Sequence, residues 1–167
     1  VLETRKTNAI AIPGKLVIQR GGTVILRGVG TAISSSSDII IEEDGMFACT
    51  DNTPSHSAPI TINGGNYRVG NRHPTLSVSG TGLAFNGGRI DHRSTAFGSF
   101  SLQTDVSYDS SSTRQALWNR HSTGLFTVEL DGGNRTFNIA DSSTLPVGVP
   151  EMLFLVSITN GTPAGGS

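Results

Sequence analysis

Asp91-His92-Arg93 is the densest group of side chains in the chain that could do chemistry. A carboxylate beside an imidazole and a guanidinium can supply an acid, a base and an oxyanion partner. The triplet follows shortly after Gly87-Gly88, however, so it reads as chain leaving a corner, and residues 91–98 are expected to form a solvated polar loop. The other acids, such as Asp38, Asp44, Asp51 and Asp131, do not recur at a shared spacing, so no inverting or retaining carboxylate pair can be nominated. His56, His73, His92 and His121 lack the i, i+4 or HxH spacing of a metal site and read as scattered surface histidines. No regular acidic calcium repeat is present. Trp118, Tyr67 and Tyr108 could stack on sugar rings. Tyr67 and Tyr108 fall on apolar positions of the repeat described below, which favours core or corner packing. Asn134-Arg135-Thr136 and Asn160-Gly161-Thr162 match the glycosylation acceptor pattern and are read as accidental. No catalytic residue, metal or cofactor is expected.

Composition narrows the classes further. Twelve basic residues nearly cancel 13 acids, and a net charge of −1 lacks the electrostatic footprint of a nucleic-acid binder. The only lysines are Lys6 and Lys15, so no polybasic membrane patch exists. No apolar run approaches the ~18 residues of a membrane helix. Cys49 is the single cysteine, which excludes an internal disulfide and a cysteine-rich metal site. Beside Phe47 it reads as a small core residue. The chain opens at Val1 without a Met or a signal peptide, as a processed product or an excised fragment does.

The elements that must carry these residues are strands. Short β-rich runs such as Leu16-Val17-Ile18, Ile39-Ile40-Ile41, Ile60-Thr61-Ile62 and Leu125 to Leu130 are bounded by Gly, Asn, Asp or Ser. No window has a convincing helical period, and the best helix candidate is Thr113 to His121. Glycine pairs Gly21-Gly22, Gly64-Gly65, Gly87-Gly88 and Gly132-Gly133 each follow an apolar run. With Asp44-Gly45 and Ser110-Ser111 filling the gaps, the anchors recur at intervals of 23, 20, 23, 23 and 22 residues. Four residues before each anchor stand Val17, Ile40, Ile60, Leu83, Val106 and Val128, all apolar. They are expected to form one interior column, and Gly21, Gly22, Gly45, Gly64, Gly65, Gly87, Gly88, Gly132 and Gly133 the corners. A third short strand, as in Thr75 to Val78 and Ser99 to Leu102, fits the remainder. Ser34 to Ser37, Asp109 to Ser112 and residues 50–57 read as loops between strands.

Thr61 to Val69, Leu83 to Ile90 and Leu125 to Ala140 resemble the coils of right-handed parallel β-helices, of the bacterial autotransporter-passenger and secreted β-strand-repeat type. The resemblance spans about residues 15–140 and rests on the glycine-and-strand pattern. It implies an all-β, single-stranded right-handed parallel β-helix, or β-solenoid, as one domain over 1–167. Coils of about 22 residues, roughly seven of them, would make a rod ~35 Å long. Residues 141–167 would supply a long loop, a final strand over Met152 to Ile158 and a tail. The expected function is an extracellular, bacterial cell-surface structural protein without enzyme activity, the subunit of a stalk, coat or fibre assembling end to end with its own copies. Ile10, Ile12, Phe154, Val156 and Ile158 are the candidate subunit contacts. A glycan or cell-surface ligand is a possible further partner; nucleic acid and a membrane span are not expected. The alternatives are a carbohydrate-binding or polysaccharide-cleaving β-helix module, or a fragment of a larger adhesin. An acidic or aromatic cluster on one face would favour the carbohydrate-active module.

Overall fold

The computed structural model describes residues 1–4, 12–27, 33, 38–49, 55–70, 74–77, 81–93, 97–120 and 124–161. The described residues are all-β, with no helix, and their strands pair in parallel. Thr113 to His121, the helix candidate, contains instead the strand Ala116–Asn119. Ala116 and Trp118 point into the core while Leu117 and Asn119 do not, a period of two that short-range helical propensity cannot override.

Three sheets carry the strands. The seven-stranded sheet runs Leu2–Thr4, Thr23–Leu26, Met46–Cys49, Asn66–Val69, Gly88–His92, Ala116–Asn119 and Met152–Phe154. The six-stranded sheet runs Leu16–Ile18, Ile39–Ile41, Ile60–Ile62, Thr81–Phe85, Asp105–Tyr108 and Phe137–Ile139. The five-stranded sheet runs Ser55–His56, Thr75–Leu76, Gly98–Leu102, Phe126–Glu129 and Ser157–Thr159. From Ile60 onward the chain visits the six-, seven- and five-stranded sheets in rotation. Parallel strands need such long crossovers, because a two-residue hairpin joins only antiparallel ones. The arrangement is compatible with a β-solenoid.

In-register pairing stacks like residues on like. In the six-stranded sheet one buried column runs through Ile39, Ile60, Leu83 and Val106, and its neighbour through Ile41, Ile62, Phe85 and Tyr108. In the seven-stranded sheet Phe47, Tyr67, Ile90 and Trp118 form another. Each interior side chain covers the one below it, and this removal of apolar surface from water holds the sheets together.

The interior column expected from the anchor spacing is corrected at three of its six members. Val17 is 43 % exposed and Ile40 is half-buried; their neighbours Leu16 and Ile18, Ile39 and Ile41 face inward. The cause is turn length. Gly21 and Asp44, with φ of 71° and 57°, stand three residues past the strand ends Ile18 and Ile41. Gly64 and Gly87 stand only two past Ile62 and Phe85. Counting back a fixed four residues therefore changes face between these turns, because side chains alternate along a strand. Val128 is buried but belongs to the five-stranded sheet, where it pairs with Phe100 and Ile158.

The corner glycines divide likewise. Gly21, Gly22, Gly45, Gly64, Gly65, Gly87 and Gly88 lie where the six-stranded sheet gives way to the seven-stranded one. Gly65 has no room for a side chain: a Cβ there would stand 2.5 Å from the Glu42 carbonyl oxygen. Gly132 and Gly133 belong to a different corner, between Phe126–Glu129 and Phe137–Ile139. The expected final strand Met152 to Ile158 is in fact two strands in two sheets, with Leu155 turned out between them at 48 % exposure. The preceding segment, Asp141 to Glu151, is strapped down by Ser142 and Thr144, whose hydroxyls donate to the Ser112 carbonyl at 2.8 and 2.6 Å.

Candidate functional site: an arginine-lined outer face

Residues 91 and 92 are not on a loop. They end the strand Gly88–His92, because Ile90 and His92 keep the inward alternation beyond the glycine corner. His92 is fully buried and its ring stacks on Phe126 at 5.3 Å and 2°. Asp91 takes the opposite face of the strand, yet it is only 1 % exposed. Polar neighbours cover it. Arg68, directly opposite on Asn66–Val69, donates from Nε to Asp91 Oδ1 at 3.3 Å. Arg93 donates from Nε to Oδ2 at 2.9 Å, and Asn66 Nδ2 donates to the same oxygen at 3.1 Å. Arg89 Nε stands 3.8 Å from Oδ2.

A carboxylate so buried is costly unless paired and hydrogen-bonded, and here it is both. The arrangement fixes guanidiniums in place, since Asp91 accepts from Arg68, Arg93 and Asn66. Three guanidiniums surround one carboxylate, which leaves positive charge in excess on this face. The arginine side chains remain 29 %, 46 % and 51 % exposed for Arg68, Arg89 and Arg93.

Beside this cluster the outer face of the seven-stranded sheet is concave. A groove of about 670 Å³ follows the glycine corner and is lined by Asn66, Arg68, Arg89, Arg114, Gln115 and the backbone of Gly45, Gly65 and Gly88, among others. Arg114 reaches across it to an ion pair with Glu43, and the guanidinium holds the Glu43 carboxyl below the usual carboxylate range. Among the described residues no aromatic side chain lines the groove. Tyr67, Tyr108 and Trp118 all point into the core, so they offer no stacking platform. A second, smaller groove of about 350 Å³ lies on the six-stranded sheet, floored by small and polar residues including Thr61, Ala84, Ser107 and Asn63.

Cys49 is buried and its sulfur lies 3.3 Å from the Tyr67 hydroxyl. Desolvation pushes its thiol up to about 12, and burial raises the Tyr67 phenol as well. Such a thiol is a core residue, not a nucleophile. His56 lies on the strand Ser55–His56, whereas His73, His121, Asp51 and Ser34 to Ser37 fall outside the described residues. Among the described residues no three metal-ligating side chains of His, Cys, Asp or Glu type converge.

Of the candidate subunit contacts, Ile10 lies outside the described residues, and Ile12 makes a parallel bridge to Ile33. Phe154 and Val156 pack half-buried against the core, with Phe154 stacked on Trp118 at 5.4 Å. Ile158 caps the column above Val128 and is 43 % exposed.

The arginine cluster was only half visible in the sequence. Asp91 and Arg93 are neighbours in the chain, but Arg68 lies 23 residues earlier. Parallel registration at the repeat spacing brings them together, so writing the repeat with its strand register would have found the pair. No family model, curated protein or solved structure matches the chain.

Proposed function

We propose that the chain is a single right-handed parallel β-helix acting as a structural subunit of a bacterial surface stalk, coat or fibre, and that copies associate end to end. The rotation of the chain through three parallel sheets supports one continuous winding. Right-handedness follows from the strong preference of parallel crossovers for that hand.

The observation that carries the assembly reading is the shared end of the three sheets. Phe137–Ile139, Met152–Phe154 and Ser157–Thr159 are the last strand of each. Ile139, Leu155 and Ile158 there are 37 %, 48 % and 43 % exposed, although Ile139 and Ile158 continue buried columns. A strand edge of this kind is a template for further pairing. The opposite end offers Leu2–Thr4 and Leu16–Ile18 as the edges of the seven- and six-stranded sheets. A second copy placed head to tail would extend both sheets in parallel. The contact is heterologous and does not close, so it propagates.

Sedimentation over a range of concentrations, with grids imaged from the same samples, tests this. Concentration-dependent oligomers or filaments are expected, and Ile139→Lys with Ile158→Lys should abolish them while leaving the β-type circular dichroism intact. A wild-type chain that stays monomeric at the highest concentrations overturns the reading.

A further inference from the structure

We infer that Asn160 is a modification site, where the side-chain amide is lost to attack by the next backbone nitrogen and a carboxylate is left beside the last strand of the five-stranded sheet. Asn-Gly gives this reaction most readily, because glycine has no Cβ to crowd the attacking nitrogen. The Gly161 N–H gives up its proton, the nitrogen bonds to the Asn160 side-chain carbonyl carbon, and ammonia leaves with that proton. Water then opens the five-membered imide at either carbonyl, to aspartate or to isoaspartate. Ring closure requires the side chain and the following peptide to turn together into an attacking geometry, so it is quick only where neither is held. The chain has three such pairs, Asn63-Gly64, Asn86-Gly87 and Asn160-Gly161, and their surroundings differ. The Asn63 N–H donates to the Ile41 carbonyl at 2.8 Å, and its Nδ2 donates to Glu42 Oε1 at 3.4 Å. The Asn86 N–H donates to the Ile62 carbonyl at 2.8 Å. Gly87 after it is buried, and a Cβ there would stand 2.6 Å from Arg114 Cβ. Both pairs are thus held between neighbouring turns of the stack. Beyond Ser157–Thr159 the last pairing bond runs from the Leu130 N–H to the Thr159 carbonyl at 2.9 Å. Asn160 and Gly161 are exposed, and neither makes a hydrogen bond among the described residues. No heavy atom lies within 4 Å of where a Gly161 Cβ would stand. A further effect, on assembly, rests on the end-to-end reading above. Ser157–Thr159 is an edge on which a second copy would seat, and an unpaired charge brought into such a contact opposes it.

Peptide mapping by mass, at intervals after the full chain is placed at mildly alkaline pH, tests the site, with a parallel sample in guanidinium chloride. In the folded chain Asn160 is expected to convert at least about tenfold faster than Asn63 and Asn86, which must await local opening. In denaturant the three should convert at similar rates. Gly161→Val, which crowds the attacking nitrogen, should slow conversion at residue 160 alone. Conversion of Asn63 or Asn86 at the Asn160 rate in the folded chain, or an Asn160 that stays intact there, would overturn the site. Asn160→Asp reproduces one product, and its sedimentation beside wild type reads the effect on assembly. Smaller oligomers than wild type at equal concentration are expected. Equal assembly of the two would strike the effect on the contact and leave the site standing. A wild type that never assembles would strike the end-to-end reading, while the mass map still decides the site.

Discussion

Asp91 and the Cys49–Tyr67 pair are buried polar groups that meet polar partners. Asp91 orders the arginines around it. Tyr67 and Cys49 face each other inside the stack, where both are neutral at ordinary pH. That pair makes stability pH-dependent on the alkaline side. The Cys49 thiol is raised from 9.0 to about 12 and the Tyr67 phenol is raised above 10.0, so the folded state resists losing these protons. A raised pKa gives a contribution that is complete below the unfolded-state value and lost as pH rises through the folded-state one. The thermal midpoint is therefore expected to fall as pH climbs from 9 towards 12, and Cys49→Ala should flatten part of that fall. A midpoint equally steep in the Ala variant would assign the loss elsewhere. Native Cys49 should also stay unmodified by thiol reagents at neutral pH.

At the scale of single strands, face is decided by one residue of register. Leu83→Asp places an unpaired charge between Ile60 and Val106, and is expected to cost about 3–5 kcal/mol. Val17→Asp, at a position equivalent by anchor counting, is expected to stay within about 0.5 kcal/mol because that side chain faces outward. Denaturant titration of the two variants measures the difference, and equal losses would return Val17 to the interior. The sequence made the β content, the parallel pairing of strands and most of the glycine corners legible. These depend on residue type alone: Gly21, Gly64 and Gly87 adopt positive φ, and Gly65 meets backbone where a Cβ would stand. Phase was not legible. The extra turn residue before Gly21 and Asp44 leaves no compositional trace, and Ile39-Ile40-Ile41 is apolar on both faces. The same limit hid the arginine cluster. Arg68 and Asp91 become neighbours only once Asn66–Val69 and Gly88–His92 are in register.

Along the whole molecule, aromatic rings pass the packing from one strand to the next. Phe47 meets Tyr67 at 5.3 Å, Tyr67 meets Phe100 at 5.5 Å, and Phe100 meets Trp118 at 5.8 Å. Trp118 then stacks on Phe154, which meets Phe137 at 5.7 Å. The rings up to Trp118 are buried, whereas Phe137 and Phe154 are only half-buried. Burial thus falls at the end where the three sheets stop. In a stack whose turns contact only their neighbours, stability follows the local burial, and the least covered turn opens first. Hydrogen exchange should therefore be fast in Phe137–Ile139 and Ser157–Thr159, as in the opposite edge strand Leu2–Thr4, and slowest in Gly88–His92 and Gly98–Leu102, whose inward side chains are fully covered. End-to-end association adds a second dependence. A copy seated on the exposed edge would protect Ser157–Thr159 without altering Gly98–Leu102, so protection of the former should rise with protein concentration and that of the latter should not. Exchange at Ser157–Thr159 that stays constant across concentration would place the contact away from this edge. Uniform exchange along the stack would mean that the molecule opens as one unit instead of from its end.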